Sequence, residues 1–501
     1  MRAVLVSLLP ALALGCGGAE AARPRLVVLL APCTLRRDVL APYDERVRST
    51  PNIAALARES VTFARHTTEC GQSGTDFATL FTGTQADVHG VYYHPRKLPE
   101  ELELVGEVFA GAGYETWFLS GHPMAAADLG YGQGIPPERT LDIRGPRKRH
   151  LLEAGDGALR RLVDGLAREP SRRAFVLANF TSTHAPYHKQ VKREAVLEFV
   201  RAFPELGAGV TAAALDRWWP FYEEHRFELE WNLPDSAPQL GLSEKDVEEL
   251  ARVLEVTYRT AVSGLDRTVG ELVDAIRAAG LWEETVFCFT SDHGEALHRE
   301  GLLFHWTHGL QFAPEVLDVP WLVHAPGVAP GRYEGVTRSI DVLPTLAGLC
   351  GIELAPRPGR DGHDLARVLR GRAAPPESLA FSHTSVVGQF SFETFANLRH
   401  LLRLYPRTDP ELCWVRVRSG DLVVEHVNAG EETWRTQAFD LARDPLERHD
   451  LFDPADPRQS ALAGMLVGYK QRLVDAYART QGTEEPAEEA LARLRELGYA
   501  R

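Results

Sequence analysis

The chain has 501 residues, of which 44% are hydrophobic and 25% charged, and its formal net charge is −14. This is globular composition with ample apolar chain for a core. The acidic balance argues against a nucleic-acid-binding surface, and the one basic patch, RGPRKRH at 144–150, reads as a solvated loop.

The first residues, MRAVLVSLLPALALGCGGAEA, run from one Arg through an apolar stretch to small residues. The stretch is too short for a bilayer span and reads as an export signal over 1–22. LALGC resembles a bacterial lipobox, which would put a lipid on Cys16 and hold the protein at a membrane surface, in the periplasm or at the cell surface. AEA at 19–21 offers ordinary signal cleavage instead. The other cysteines, Cys33, Cys70, Cys288, Cys350 and Cys413, are odd in number and widely spaced, so no disulfide scaffold is expected.

LVVLLA at 26–31 is a continuous apolar run, the pattern of a parallel strand buried on both faces. TPNIAALARES follows as a helix, with Thr50 at the N-cap and Pro51 in the first turn. Helix and strand then alternate through ELELVGEVFAGAGYETWFLSG, ALRRLVDGLAREP and RAFVLANFTSTHAPY. VSGLDRTVGELVDAIRAAG carries Val262, Leu265, Val269, Leu272 and Ile276 on one helical stripe that Gly280 ends. TVFCFTSDHG and VPWLVHAPG read as strands, and DVLPTLAGLCG as a helix.

This alternation predicts an α/β fold, a doubly wound and mainly parallel sheet over 24–370. Ligands of such sheets bind at the carboxyl ends of the strands. Cys33, His184, Asp292 and His293 all fall just after predicted strands. Between 188 and 249 the pattern breaks, and the aromatic, acidic, Pro-containing text reads as an insertion over the site. From 371 to 501 short antiparallel strands and a charged terminal helix suggest a smaller α+β domain.

Asp292 and His293 are hard and borderline metal ligands placed side by side. The text around them, TSDHGE, then HG at His308–Gly309 and VP at Val319–Pro320, resembles the sulfatase family of the alkaline-phosphatase superfamily. TPNIAALARESVTF, LFTGTQADVHGV, STHAPY, YRTAVSGLDRTVGEL, SIDVLPTLAGLCGI and AFDLARDPLERHDL extend the resemblance in collinear order over roughly 24–455. It implies a metal-dependent hydrolase acting on a small-molecule or glycan sulfate ester. It also implies a nucleophile in the loop GQSGT, counted back to Ser73 with Thr75 as runner-up, and metal ligands at Asp292 and His293. His308 and His184 would contact the anion and leaving group. His122 lies near a further substrate-facing motif whose Lys is missing here. His305 and Glu295 are weaker candidates, Glu295 as a brace of its own loop.

Two departures qualify that expectation. The nucleophile loop lacks the Pro and Arg of the family's modification motif, so Ser73 is expected to act as a plain hydroxyl. Cys33 stands where the family's first strand supplies an Asp ligand. A thiolate suits zinc better than calcium. Either Cys33, Ser73, Asp292 and His293 hold zinc, or Asp76, sharing a helical face with Ser73, replaces the missing carboxylate in a calcium-type site. Two alternatives to sulfate-ester hydrolysis stay open. One is phosphoester or phosphodiester chemistry with a Ser or Thr nucleophile, since STHAPY also resembles a loop of lipid-headgroup phosphotransferases. The other is an inactive binding protein. Oligomeric state is not legible.

Overall fold

The computed structural model describes residues 23–92, 96–144, 151–302, 304–384, 413–427, 434–479, 489 and 492–493. The stretch with Cys16 read as an export signal, residues 145–150 and most of the charged stretch before the C-terminus lie outside them.

The large sheet comprises β1 (Leu26–Pro32), β2 (Val61–Thr67), β3 (Glu115–Gly121), β4 (Thr140–Asp142), β5 (Ala174–Phe180), β6 (Thr285–Thr290), β7 (Trp321–His324) and β8 (Gly331–Arg338). Its order is β4-β3-β5-β1-β6-β7-β2-β8. Every pairing is parallel except those of β7, which runs antiparallel to β6 and β2. The segment joining β6 to β7 carries no long crossover helix, as an antiparallel return permits. β1 is buried along its whole length. Leu26, Val28 and Leu30 enter one apolar cluster, while Val27, Leu29, Ala31 and Cys33 enter the other. Cys33 therefore continues the face of β1 that packs against Phe77 and Phe81.

Helix Pro51–Ala57 begins after Thr50, but the Thr50 hydroxyl makes no cap bond. It accepts from the Ala41 amide instead, at 3.0 Å. The cap comes from Asp266, whose carboxylate accepts from the amides of Asn52 and Ile53 at 3.2 and 2.7 Å. Asp266 lies on helix Glu244–Ala278, which buries Val262, Leu265, Val269, Leu272 and Ile276; Gly280 follows at φ +71°.

The insertion is helical, where its irregular texture suggested only a break in the pattern. Helix Arg193–Ala202 precedes the 28-residue helix Ala212–Gln239, hereafter the insertion helix, which contains Pro220, Pro234 and Pro238. Its buried positions include Trp218, Tyr222, Arg226, Leu229, Glu230 and Leu233, a stripe at helical spacing. Among the described residues no helix is long and apolar enough to cross a membrane.

A second, antiparallel sheet has the order β12-β11-β10-β9, from β9 (Ala380–His383), β10 (Val415–Ser419), β11 (Leu422–Val427) and β12 (Arg435–Asp440). Helix Pro457–Arg479 lays Leu462, Leu466, Tyr469 and Leu473 against Val415, Val417 and Val424. Ala86 and Tyr92 of the large unit share that cluster. Buried Glu69 ties the seam together. Its Oε1 accepts from Ala86 N at 2.9 Å and Tyr469 Oη at 3.2 Å, and its Oε2 from Thr79 Oγ1 at 2.6 Å. The His383 amide donates to Glu69 O.

Burial pushes the Glu69 carboxyl from 4.5 up to about 8. A carboxyl raised in the folded state binds its proton more tightly there than in the unfolded chain. Its contribution to stability is complete below pH 4.5 and is lost as pH rises to about 8. Urea midpoints of the wild type are therefore expected to fall from about pH 5 to about pH 8, and Glu69→Gln to flatten that fall. Equal pH slopes in the two proteins would remove Glu69 as a cause.

Candidate active site

Four neighbouring strands end at one place. β3 is followed by His122, β5 by the loop with His184, β1 by Cys33, and β6 by Ser291, Asp292 and His293. All of these residues are buried. Cys33 is central because β1 lies between β5 and β6. Its sulfur joins Asp292 and His293 in one group of ligand atoms, and His122 and His184 in another, each within 4.8 Å of one another.

Ser73 opens the ten-residue helix Ser73–Thr82, which is buried throughout. Its Oγ lies 3.1 Å from His293 Nε2 and 3.4 Å from Cys33 Sγ. The helix N-terminus adds positive potential at the hydroxyl. The preceding loop is held by Asp76. Oδ1 accepts from the Cys70 amide at 2.8 Å, and Oδ2 from Gly71 and Gln72 at 2.7 and 2.9 Å. Asp76 thus braces the loop, and it is absent from both groups of convergent donors. A carboxylate four residues into a helix folds back onto orphan loop amides more readily than it reaches sideways to a cation. Burial, reinforced by the Asp292 charge, pushes its carboxyl up to about 8. Thr75 interacts with Cys70.

Gly71 has φ +80° and Gly309 φ +79°. A Cβ on Gly71 would meet Val316 Cγ1 at 2.7 Å, and one on Gly309 would meet Gly71 O at 3.0 Å. Only glycines let the Ser73 loop and the His308 loop approach this closely.

Asp292 Oδ1 accepts from the amides of Thr34 and His293 at 3.0 and 2.7 Å. Its Oδ2 is buried without a hydrogen bond, 3.4 Å from His293 Nε2. Thr34 sits at φ +57°, a costly conformation for a β-branched residue. It is pinned there by its amide bond to Asp292 and by Tyr258 Oη donating to its carbonyl. His293 Nδ1 lies 2.8 Å from Gly294 O. A carbonyl only accepts, so this nitrogen carries the proton and Nε2 keeps its lone pair toward Ser73.

The imidazoles form a row. Ring centroids are 4.2 Å apart for His293 and His308, 5.3 Å for His308 and His184, and 6.2 Å for His184 and His122. His308 Nδ1 lies 3.1 Å from Glu295 Oε1, and His184 Nδ1 bonds Ala185 O. His122 Nδ1 accepts from the Met124 amide at 3.2 Å. Burial lowers the pKa of both His184 and His308, with neighbouring imidazoles adding to the effect. Burial pushes the Cys33 thiol well up, helped by the Asp292 charge. His305 stands apart, its Nδ1 3.3 Å from His298 Nδ1.

The donors fit one kind of cation better than the other. Sulfur, imidazole nitrogen and a bare carboxylate oxygen converge, with Ser73 Oγ beside two of them. That set suits four-coordinate zinc. Calcium needs six to eight oxygens, and the convergent groups contain a single carboxylate.

His184 also lines a cavity of about 790 Å³ with Thr181, Ser182, Gln190, Arg144 and Arg267. Tyr222, Arg226 and Glu230 were not singled out in the sequence. The signal available was their spacing of four residues, hidden by the prolines around them. Tyr222 Oη and Arg226 Nε both donate to Glu230 Oε1, at 2.5 and 2.8 Å.

The model of the family described as Sulfatase matches residues 26–352. A choline-sulfatase from Rhizobium meliloti is 32% identical over 359 residues, 64% of this chain and 67% of that enzyme. A Delta 4,5-hexuronate-2-O-sulfatase from Bacteroides thetaiotaomicron is 23% identical over 94% of both chains. The crystal structure of a phosphonate monoester hydrolase of Agrobacterium radiobacter superposes with a TM-score of 0.61, at 21% identity over 91% of this chain and 96% of that one.

The bracing geometry separates Asp76 from Cys33 experimentally. Asp76→Asn sets an NH₂ against amide donors and is expected to cost about 1–3 kcal/mol in urea unfolding, with metal content unchanged. Cys33→Ser is expected to lose bound zinc by elemental mass spectrometry. Loss of metal in Asp76→Asn would return Asp76 to the ligand set.

Proposed function

This chain belongs to the sulfatase family, and on that premise we propose that it is an exported, metal-dependent hydrolase of sulfate esters with a serine nucleophile and a thiolate in its metal site. The observation that carries the reading is the placing of Ser73 Oγ. It stands 3.1 Å from His293 Nε2 and 3.4 Å from Cys33 Sγ, at a helix N-terminus and at the carboxyl edge of the sheet. Cys33 Sγ, Asp292 Oδ2 and His293 Nε2 would hold the metal, for which zinc fits best. When bound, such an ion lowers the pKa of an adjacent hydroxyl and offsets charge on ester oxygens.

The chain's own groups supply the rest. Ser73 Oγ attacks sulfur as the bond from sulfur to the ester oxygen breaks; the serine proton passes to the neutral imidazole row of His308 and His184, which hands one to the departing alcohol. Hydrolysis of the seryl ester by water returns Ser73. The tetrahedral anion lies between Ser73, His184 and His308. The alcohol portion extends past His184 into the 790 Å³ cavity, whose Thr181, Ser182, Gln190 and Arg144 suit a hydroxylated or acidic group such as a glycan.

A phosphoester is the second reading. A plain serine in GQSGTDF forms and releases a phosphoryl group readily, and this loop lacks the Pro and Arg expected beside a modified nucleophile.

The test joins metal analysis to turnover. Protein purified without chelator should carry near-stoichiometric zinc that Asp292→Ala loses. Ser73→Ala should keep the zinc and lose roughly a thousandfold or more of activity. Comparing 4-nitrophenyl sulfate, 4-nitrophenyl phosphate and a phenylphosphonate ester assigns the ester class. Zinc-loaded protein that turns over none of them would defeat the hydrolase reading.

A further inference from the structure

The groups around Ser73 are thiol, carboxyl and imidazole, and none carries a permanent positive charge. A sulfate or phosphate ester brings negative charge that concentrates on its nonbridging oxygens in the transition state, where fixed cations are most effective. A buried guanidinium, paired with Glu230, stands on the insertion helix. Arg226, on the insertion helix, is 4% exposed. It belongs to the stripe Trp218, Tyr222, Arg226 and Glu230, four residues apart, that faces the body of the protein.

That stripe is docked on the loop carrying the site. Glu230 O accepts from the His305 amide at 3.0 Å. The Tyr222 ring lies 6.2 Å from Trp306, itself buried and held at φ +52°. Tyr222 also stands 6.4 Å from His188, four residues beyond His184. The helix is fixed on its other side by Trp219 Nε1, which donates to Thr257 Oγ1 at 3.2 Å. The Arg226 charge bears on His184, His308 and Glu295 together. Arg36, whose charge also acts on Glu295, is already engaged by Asp38 through two hydrogen bonds at 2.9 and 2.6 Å.

We infer that Arg226 is the anion-binding residue of this site, reaching from the insertion helix to a nonbridging oxygen of the sulfate or phosphate group held near His184 and His308. The assignment rests on the proposed location of the ester site but not on turnover. Glu230 holds the guanidinium through Nε and sets its direction, and Tyr222 fixes Glu230 in turn. The insertion thus forms part of the binding site and is more than a cover over it.

The test is calorimetric titration of inorganic sulfate and of inorganic phosphate into the full-length zinc-loaded protein. It is run at about pH 8, above the value near 7 to which burial raises Glu230. Arg226→Gln should weaken anion binding about tenfold or more, and Arg226→Lys, which keeps charge but not the planar fork, by a few-fold. Equal binding in Arg226→Gln, or no binding of either anion by the wild type, would overturn the inference. If Arg226→Gln does not fold, Arg226→Lys decides, and anion binding equal to the wild type in that variant counts against Arg226. Anion binding that depends on Arg226 in a protein that hydrolyses no ester would leave this inference standing and sink the enzymatic one.

Discussion

Cys33 stands between two sets of donors, Asp292 with His293 on one side and His122 with His184 on the other, because β1 runs between β6 and β5. The sheet order alone dictates this. Each parallel strand delivers its next residue to the same edge, so the residue after the central strand meets everything else. A carboxylate there would give an oxygen-rich site. A thiol gives a soft one, and the burial that surrounds it makes the bare thiolate costly. In the proposed metal site a cation and the thiolate would stabilise one another, and the proton of Cys33 would leave as the metal binds.

The same burial explains the density of bracing hydrogen bonds. A loop that carries a nucleophile at the start of a fully buried helix exposes several amides with no helical partners. Asp76 takes three of them, and the Gly71–Gly309 approach locks that loop to the one carrying His308. Thr34 stays in its left-handed conformation because Asp292 and Tyr258 hold both sides of its peptide. These contacts keep Ser73, Cys33 and His293 within reach of one another in a pocket from which water is largely excluded.

Much of this was legible in the sequence, for reasons that are local. A run such as LVVLLA has few ways to be buried other than as a two-faced strand. DH after an apolar strand lands at the carboxyl edge wherever that strand lies. The bracing role of Asp76 was not legible, because helical spacing tells which residues share a face but not whether a carboxylate turns to a cation or back to its own backbone. The direction of β7 was not readable, because an isolated strand carries no mark of its neighbour's sense. The insertion helix was missed because Pro220 and Pro234 argue against helix interior, and packing of the Trp218 to Leu233 stripe outweighs that local cost.

His293 Nε2 is the point on which these arguments converge. Its Nδ1 is committed to Gly294 O, so one lone pair remains. Ser73 can donate to it, as the hydrogen bond at 3.1 Å shows, or a metal can occupy it, but not both. The two states differ in what activates the hydroxyl. In the first His293 is a base and Cys33 stays a thiol; in the second the imidazole is a ligand, and the Ser73 proton must leave by another route. On the proposed mechanism that route would run along the row of rings to His308, whose Nδ1 is backed by Glu295, and to His184. On the proposed ligand set Cys33 would select between the two states, since only a deprotonated thiol would complete it.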